Sequence, residues 1–589
     1  MKLIGFFGYI FFLLIFEEGN LQGQSWLWGQ QGYSSLVSSV YYSPVATDKF
    51  GNAYVTGTFS NTTVFGNIRL IGGSTNAYLA KFNSIGKIIW AKQAINSGNT
   101  SYSISESVTT DRYGNIYIAG NASGSVTFGR FSLTAADGYY TFLVKYDSNG
   151  NVLWAKQSSV ISYNGVYNCS VVADASGNIF LTGLFDTITT FGVYTLTHVY
   201  LAFSNVFVVK YDALGNVLWA KQSTGMGLSN NYNYPFSSAT DTMGNVYITS
   251  NFGNSITFDS YTLHSSKYYS VYLVKYSPQG TVLWARQSVN NGVNTLGSDY
   301  SLGYGYSVIA DHSGNAYITG TFQDSIAFGS HRLSSPGGYS VFFTKYDLNG
   351  NVLWAQQSSS GWSGTGLAVD DSNHIYLSGQ IIYYYLNSDE LSFGGLSLNA
   401  NPNSTASFII KFDTDGNPYC GSVLNEVGEN GENTGIASDI TGSYIYMGGI
   451  FNSKEIICGP DTLGSQSGES NLLLARWKPC YGLQISPPMP IPVSTEENEP
   501  CHLFIPNAFS PNQNFNNVLY VRGACITSMK FLIFDRWGNK IFESENLNNG
   551  WDGTSKGQPV NTGTYVWYLK ANLPDGTSVE RKGNVTLVR

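Results

Sequence analysis

Short apolar runs separated by polar turns recur along most of this chain. The runs VFVVKYD (206–212) and NVYITS (245–250) carry apolar residues at consecutive positions, and Gly, Asn and Asp fill the segments between runs. Consecutive apolar positions over about four to eight residues are typical of strands that are covered on both faces. The pattern therefore predicts an all-β chain in which sheets pack face to face.

The apolar runs belong to a repeated unit. The motif Asp-x-x-Gly-Asn-x-Tyr, in five close copies and two weaker ones, is followed by Phe-Gly-x-x-x-Leu and then by a run such as FLVKYDSNGNVLWAKQ (142–157). The copies begin at Asp48, Asp111, Asp174, Asp241, Asp311, Asp370 and Asp439, and are 63, 63, 67, 70, 59 and 69 residues apart. Because Asp caps such turns and Gly takes positive φ, each copy is expected to form four short strands joined by hairpins. Seven such sheets around one axis would form a seven-bladed β-propeller.

The ends of the repeat region predict how this ring closes. The outer strands of the copies carry Trp90, Trp154, Trp219, Trp284 and Trp354. No such strand follows Arg476 in the seventh copy, whereas SWLWGQQ (25–31) has Trp28 at the motif position and no copy before it. We predict that residues 25–31 add the outermost strand to the last blade, with the Trp side chains as packing anchors between blades. An open β-solenoid is the alternative, but it would not explain the displaced strand.

Composition changes outside the repeats, which indicates further regions. Residues 1–23 combine Lys2 with the apolar run 3–16 and are interpreted as a secretory signal peptide, a membrane anchor being the alternative. Residues 24–480 are assigned to the propeller, 481–500 to a Pro-rich linker, and 501–589 to a small C-terminal β-sandwich with alternating strands. We expect no transmembrane segment after removal of the signal peptide.

Charge and cysteine content narrow the class of protein. A net charge of −8 and a pI near 5.3 argue against nucleic acid as a partner. Six cysteines in an exported chain permit disulfides. We expect Cys169 to be a small buried residue, and Cys501 with Cys525 to be a candidate pair. The connectivity of the remaining three, Cys420, Cys458 and Cys480, stays open.

The repeats, over residues 26–477, resemble the β-propeller repeat of secreted bacterial proteins, with its DxxGNxYxTG and FVxKYDxxGNxxW motifs. In the C-terminal unit, FIPNAFSPN, IFDRWGNKIFES, GWDGTSKGQPV, GTYVWYL and GNVTLVR are similar to the gliding-motility-associated C-terminal domain of Bacteroidetes. That resemblance implies a type B sorting signal for the type IX secretion system. Its motif positions fall on Trp537, Gly538, Trp551, Asp552, Gly553, Gly563, Tyr565 and Arg589. Most of these are also aromatic core anchors and turn glycines that a small sandwich needs.

The sequence contains no recognisable motif of a catalytic, cofactor or metal site. There is no HExxH, CxxC or P-loop, no G-x-S-x-G or GxGxxG stands in a strand–helix setting, and the six histidines share no repeat position. The repeated Asp residues fit turn capping better than metal binding, and NQNFNN (512–517) lacks the carboxylates that the related family has there. We therefore expect no catalytic residues, metal or cofactor.

Function on the propeller should come from loops that break the repeat. The candidates are 225–236, 291–306 and 380–395, whose Tyr and Asn content suits recognition of a glycan or a protein. We predict a monomeric binding or adhesion protein, not an enzyme, exported through the periplasm to the outer cell surface or the medium. The alternatives are a secreted polysaccharide lyase or hydrolase and a purely structural surface protein.

Overall fold

The computed structural model describes residues 25–480 and 505–588, except for 35–44, 74, 163–167, 199–203, 226–235, 266–268, 291–302, 360, 362, 383–389, 402–404, 428–431, 440, 452–454, 465–470, 506–507, 512–517, 522–525, 548 and 573–577. The regular elements of these residues are all strands, and no helix among them could cross a bilayer. The chain divides into two compact units, Met1–Met489 and Pro490–Arg589. Both the predicted signal peptide and the predicted linker lie outside the described residues.

The first unit begins with β1 (Ser25–Ser34) and continues with seven groups of strands. Blade 1 contains β2 (Val45–Thr47), β3 (Ala53–Phe59), β4 (Thr62–Phe65), β5 (Ile68–Ile71), β6 (Asn76–Phe82) and β7 (Ile88–Gln93). Blade 2 contains β8 (Ile95–Thr110), β9 (Ile116–Phe128), β10 (Phe131–Tyr146) and β11 (Val152–Ser162). Blade 3 contains β12 (Cys169–Ala173), β13 (Ile179–Phe185), β14 (Thr189–Phe191), β15 (Tyr194–Leu196), β16 (Asn205–Tyr211) and β17 (Val217–Gln222).

The other blades follow the same order. Blade 4 contains β18 (Ser237–Thr240), β19 (Val246–Phe252), β20 (Ser255–Phe258), β21 (Tyr261–His264), β22 (Ser270–Tyr276) and β23 (Val282–Asn290). Blade 5 contains β24 (Gly303–Ala310), β25 (Ala316–Phe328), β26 (His331–Tyr346) and β27 (Val352–Gln357). Blade 6 contains β28 (Ser363–Val369), β29 (Ile375–Ile382), β30 (Glu390–Phe393), β31 (Leu396–Asn399), β32 (Thr405–Phe412) and β33 (Pro418–Val427). Blade 7 contains β34 (Glu432–Ser438), β35 (Ile445–Phe451), β36 (Glu455–Cys458), β37 (Asp461–Leu463) and β38 (Asn471–Lys478).

Each blade is an antiparallel four-stranded sheet, and the innermost strands form a ring. In order, β2, β8, β12, β18, β24, β28 and β34 each contact the next, and β34 contacts β2. The third strands, such as β16 and β22, are buried along their whole length because a neighbouring blade covers each face. Over the described residues the structure is therefore a closed all-β propeller.

The ring closes through β1. This strand pairs antiparallel with β38 from Ser25↔Lys478 to Gly32↔Leu472 and so forms the outer strand of blade 7. Trp28 stands opposite Arg476, as Trp154 stands opposite Lys145 in blade 2, and a bulge follows at the same place in both ladders. The first and last strands of the unit therefore complete a single sheet, in the register that the displaced motif indicates.

The Phe-Gly-x-x-x-Leu element forms a small hairpin that joins neighbouring blades, a role the sequence reasoning missed. The hairpin lies between the second and third strands of its blade and reaches the outer strand of the preceding blade. The hairpin strands β4, β25 and β36 pair with the outer strands β1, β23 and β33, respectively. Each blade is thus hydrogen-bonded to the one before it as well as packed against it.

The last residue of the LWAKQ motif holds this hairpin in place. The Gln287 side chain accepts a hydrogen bond from the His264 backbone N–H at 2.8 Å and donates one to the His264 carbonyl at 2.7 Å. Gln157 and Gln357 make the same paired contact with Thr134 and Ser334. The repeated Gln therefore fixes the hairpin of its own blade to the blade's outer strand.

The second unit contains β39 (Ala508–Phe509), β40 (Ser528–Phe534), β41 (Lys540–Ser544), β42 (Thr554–Ser555), β43 (Gln558–Pro559), β44 (Gly563–Asn572) and β45 (Ser578–Leu587). Its five-stranded sheet has the order β39-β45-β44-β40-β41, and β42 with β43 forms a separate two-stranded ribbon. The core contains Phe531, Trp551, Leu569 and Val585, all fully buried. Within the described residues the unit is thus one full sheet backed by a ribbon and loops.

Candidate functional site

The seven repeated Asp side chains are occupied by their own turns. Asp48 Oδ1 accepts the backbone N–H groups of Phe50 and Asn52 at 2.9 and 3.0 Å. Its Oδ2 accepts the Asn52 side-chain amide at 2.7 Å and the Tyr54 hydroxyl at 2.8 Å. Asp370 makes the same contacts, with the His374 ring in place of the Asn amide. These carboxylates therefore cap turns, and no group of potential metal ligands occurs among the described residues.

The repeated Lys and Trp side chains join each blade to the next. Lys145 Nζ and Trp154 Nε1 both donate to the Ala213 carbonyl of blade 3, at 3.0 and 3.2 Å. Lys145 also lies over the Tyr117 ring. Burial lowers the pKa of Lys145, and the charges of Asp111 and Asp212 oppose that shift. Because this Lys is held between blades, it is a structural cation.

The Trp rings of these joints pack on turn glycines of the next blade. A Cβ built on Gly150, which has φ +80°, would lie 3.1 Å from the ring of Trp90. The same contact occurs between Gly215 and Trp154 and, at the closing seam, between Gly86 and Trp28. Trp219, Trp284 and Trp354 meet Gly280, Gly350 and Gly416 in the same way. Close approach of ring and backbone thus explains both the Trp and the Gly of the repeat.

A disulfide replaces the Trp joint between blades 6 and 7. Cys420 stands opposite Lys411 in the register where Trp219 stands opposite Lys210. It is bonded to Cys480, in the segment that follows β38, where other blades form their outer turn. Aligning the copies would have singled out Cys420 as a joint residue, because the alignment puts it at a Trp position. Cys169 and Cys458 are free and buried, and the predicted pair Cys501–Cys525 lies outside the described residues.

A buried carboxylate lies near the innermost ring. Glu106 occupies a bulge of β8, between Ser105 and Ser107. It accepts hydrogen bonds from the Asn121 amide at 3.0 Å and from the Cys169 backbone N–H at 3.0 Å. Burial raises the pKa of Glu106 to about 7, and these hydrogen bonds oppose that shift. The side chain is buried between blades 2 and 3, where its hydrogen bonds connect the two blades.

The propeller has two different ends. The Asp-x-x-Gly-Asn turns all lie at one end, because they follow the first and third strands of an antiparallel sheet. The candidate loops 225–236, 291–306 and 380–395 follow second or fourth strands, so the described residues that flank them lie at the other end. Most of these three loops lies outside the described residues.

The described part of loop 291–306 belongs to a cluster of tyrosines. The Tyr304 ring stacks on Tyr269 with centroids 6.1 Å apart and planes 26° apart, and Tyr306 lies 6.3 Å from Tyr304. Tyr306 is the extra residue of a bulge in β24, which re-aims its side chain. Burial raises the pKa of Tyr304 to about 12, and Tyr269 and Tyr339 add to the shift. The cluster is therefore a half-buried, uncharged aromatic surface at the loop end of blades 4 and 5.

The motif residues of the C-terminal unit separate into two groups. Trp551 and Tyr565 are core residues in edge-to-face contact, with centroids 4.9 Å apart. Asp552 caps its turn by accepting the Thr554 N–H at 2.9 Å, while Gly553 and Gly563 take positive φ. Arg589 lies outside the described residues.

Trp537 does not fit the expectation of a core anchor. Its side chain is 80% exposed, in the turn between β40 and β41, next to the exposed Gly538. The sequence pattern of this turn, Asp-Arg-Trp-Gly-Asn, places the Trp at a position that points away from the sheet. Trp537 is therefore an exception among the aromatic motif positions, whereas Trp551 and Tyr565 lie in the core.

Comparison with known proteins finds a family match in each part of the chain. Residues 503–587 match the CHU_C type IX secretion signal domain, and residues 89–126 match the β-propeller repeat family described as SBBP. An uncharacterised WD repeat-containing protein of Acanthamoeba polyphaga mimivirus is 30% identical over 167 residues, which are 25% of this chain and 11% of that protein.

Solved structures give weaker similarities. A chain of the mitotic checkpoint complex is 8% identical with a TM-score of 0.35, covering 81% of this chain and 98% of its own. The extracellular domain of a hybrid two-component system from B. thetaiotaomicron is 12% identical with a TM-score of 0.25, covering 92% and 67%. Such scores carry no argument about this protein, so the assignment rests on the two family matches. The repeats are therefore similar to the β-propeller repeat family, the C-terminal unit contains a type IX secretion signal domain, and the chain is exported to the cell surface or secreted.

Proposed function

We propose that this protein is a binding or adhesion protein that acts outside the cell. In this proposal the propeller is the ligand-binding scaffold and the C-terminal unit directs export. The observation that carries the proposal is the tyrosine cluster of Tyr269, Tyr304 and Tyr306 at the loop end. Stacked, half-buried tyrosines provide rigid amphipathic contact area at a low cost in conformational entropy, as glycan and protein recognition requires.

The repeated polar side chains support a scaffold role for the rest of the propeller. Asp48 and its equivalents cap turns, and Lys145 and its equivalents bridge blades. Side chains that are occupied in this way cannot also serve as acid, base or ligand without opening a joint. Recognition is therefore assigned to residues that differ between blades, and Tyr304 and Tyr306 are such residues.

The test uses the secreted full-length protein on a glycan array and on whole cells. Tyr304→Ala should reduce binding at least tenfold, because a buried aromatic contact is typically worth about 1.4 kcal/mol or more. Tyr102→Ala is the matched control, since Tyr102 also faces a tyrosine, Tyr139, at 6.2 Å but lies in blade 2. Equal loss in both variants, or full binding by Tyr304→Ala, would contradict the assignment to the cluster.

Export is tested separately. Deletion of residues 501–589 should leave the propeller inside the outer membrane, as measured by fractionation of cells and medium. Release of the truncated protein at the wild-type level would show that the C-terminal unit is not needed.

A further inference from the structure

The turn between β40 and β41 presents a large apolar side chain to solvent. Trp537 is 80% exposed, whereas Trp551 of the same unit is fully buried. Exposed tryptophan at the tip of a turn adds nothing to the core of the unit. Tryptophan is also enriched among the residues that carry most of the binding energy in protein interfaces.

The local structure fixes the backbone at Trp537 but does not require a Trp side chain there. Asp535 accepts the N–H groups of Trp537 and Asn539 at 2.9 and 2.8 Å and the Asn539 amide at 2.9 Å, and Gly538 has φ +83°. The propeller forms the same five-residue turn with Asn149 at the Trp position. Since Asn serves this turn equally well, the choice of Trp at 537 needs another reason.

A groove of about 630 Å³ lies beside this turn. Its walls are the turn itself and the segment 559–565 that leads into β44, and Ile541, Val560 and Tyr565 supply apolar lining. The Tyr565 hydroxyl donates to the Asn561 carbonyl at 2.5 Å, which fixes that wall. The volume lies within the range of sites that enclose a bulky side chain or small ligand.

Arg536 stands next to Trp537 on the rim of the groove. It is exposed, and it forms no ion pair with another described residue. The rim thus pairs an aromatic ring with a free cation, a combination that suits a partner carrying an apolar side chain next to a carboxylate.

We propose that this groove, with Trp537 and Arg536 on its rim, is the surface through which a protein of the type IX export machinery recognises the domain. The occupant is a protein segment that inserts an apolar side chain beside Trp537 and sets a carboxylate against Arg536. The choice of a protein partner rests on the sorting role of residues 503–587, which contain the whole groove. The inference names the contact surface for that role, which the family match does not.

The test compares Trp537→Asn with Val566→Ala in the full-length chain, expressed in a host that has the secretion system. Val566 is 43% exposed and lies on β44 next to Tyr565, on the opposite face of that strand. Surface and medium levels are measured by fractionation and by protease accessibility of whole cells. Trp537→Asn should lower the exported fraction at least tenfold and accumulate in the periplasm, while Val566→Ala should be exported normally. Arg536→Glu should lower export as well.

Folding is checked by trypsin resistance and by the unfolding midpoint of each full-length variant. Asn is the replacement because the turn at Asp147 already accepts it. Normal export of Trp537→Asn would overturn the proposal, as would an equal loss in Val566→Ala. Normal export followed by loss from the cell surface would also overturn it, because Trp537 would then bind a surface glycan or lipid. If deletion of residues 501–589 blocks export while Trp537→Asn does not, the sorting role stands and only the groove is excluded.

Discussion

The disulfide between Cys420 and Cys480 should contribute a large part of the stability of the propeller. It links residues 60 apart in sequence. In the chain-entropy account, a crosslink that closes a loop of this length in the unfolded chain stabilises the folded state by about 4 kcal/mol. Replacing both residues by Ala should therefore lower the free energy of unfolding by about that amount.

Single and double variants separate the crosslink from the packing of the side chains. If the crosslink dominates, Cys420→Ala, Cys480→Ala and the double variant should lose the same amount, because removing either sulfur breaks the one bond. If packing dominates, the two single losses should add. The assay is guanidinium unfolding of the full-length protein followed by tryptophan fluorescence, with and without a reducing agent.

The reducing agent provides the internal control. In a background with both Cys501 and Cys525 replaced by Ala, it should shift the unfolding midpoint of the chain with Cys420 and Cys480 to that of the double variant, and leave the double variant unchanged. A double variant within about 0.5 kcal/mol of wild type would refute the reasoning, since chain entropy predicts a loss several times larger. So would a double variant that the reducing agent destabilises, in that background, as strongly as it does the chain with Cys420 and Cys480.

The remaining predictions concern single side chains. Glu106→Gln should remove a pH dependence of stability. The free energy of unfolding of the wild-type protein should fall by about 3 kcal/mol as pH rises from 4.5 to about 7, because the pKa of Glu106 is higher in the folded than in the unfolded protein. Thermal midpoints that change in parallel in the two proteins across that range would contradict this. Trp219→Phe should lower the free energy of unfolding by about 1 kcal/mol, because the hydrogen bond to the Pro278 carbonyl at 3.0 Å is lost. Trp219→Ala should lower it by about 3 kcal/mol, because the packing of the ring is lost as well. Equal losses in the two Trp219 variants, measured by chemical unfolding, would mean that ring packing adds nothing. Gln287→Ala should lower stability by about 1–2 kcal/mol because both contacts with His264 disappear, and an unchanged thermal midpoint would argue that the hairpin is held by its ladder alone.

Local sequence signals predicted the repeated features well. The turn of Asp48, Asn52 and Tyr54 lies within seven residues, so its geometry follows from turn chemistry alone. Trp28 could be placed in the last blade because the motif is long enough to be recognised out of position. Fold class followed from the period of the repeat and ring closure from the displaced copy of its outer-strand motif, and neither needs tertiary information.

Features that depend on contacts between copies were harder to predict. The role of Gln287 appears only once the hairpin and the outer strand are seen side by side. The partner of Cys420 lies in the next blade, so counting cysteines could not identify it. The exposure of Trp537 could not be predicted, because residue type predicts burial only on average and a turn can point any side chain outward. The ligand-binding loops share no pattern with the repeats, and sequence periodicity is silent about them.

The position of Cys480 has a mechanical consequence. Tension that is applied to the chain beyond Cys480 reaches this residue before it reaches β38 (Asn471–Lys478). The covalent bond then transfers the load to β33 in blade 6, and β38 itself is clamped on both edges by β35 and β1. For β38 to separate from blade 7, the disulfide would first have to break and both ladders of β38, with β1 and with β35, would have to shear together. A propeller pulled from this side should therefore resist force far better than one whose last strand is free on one edge.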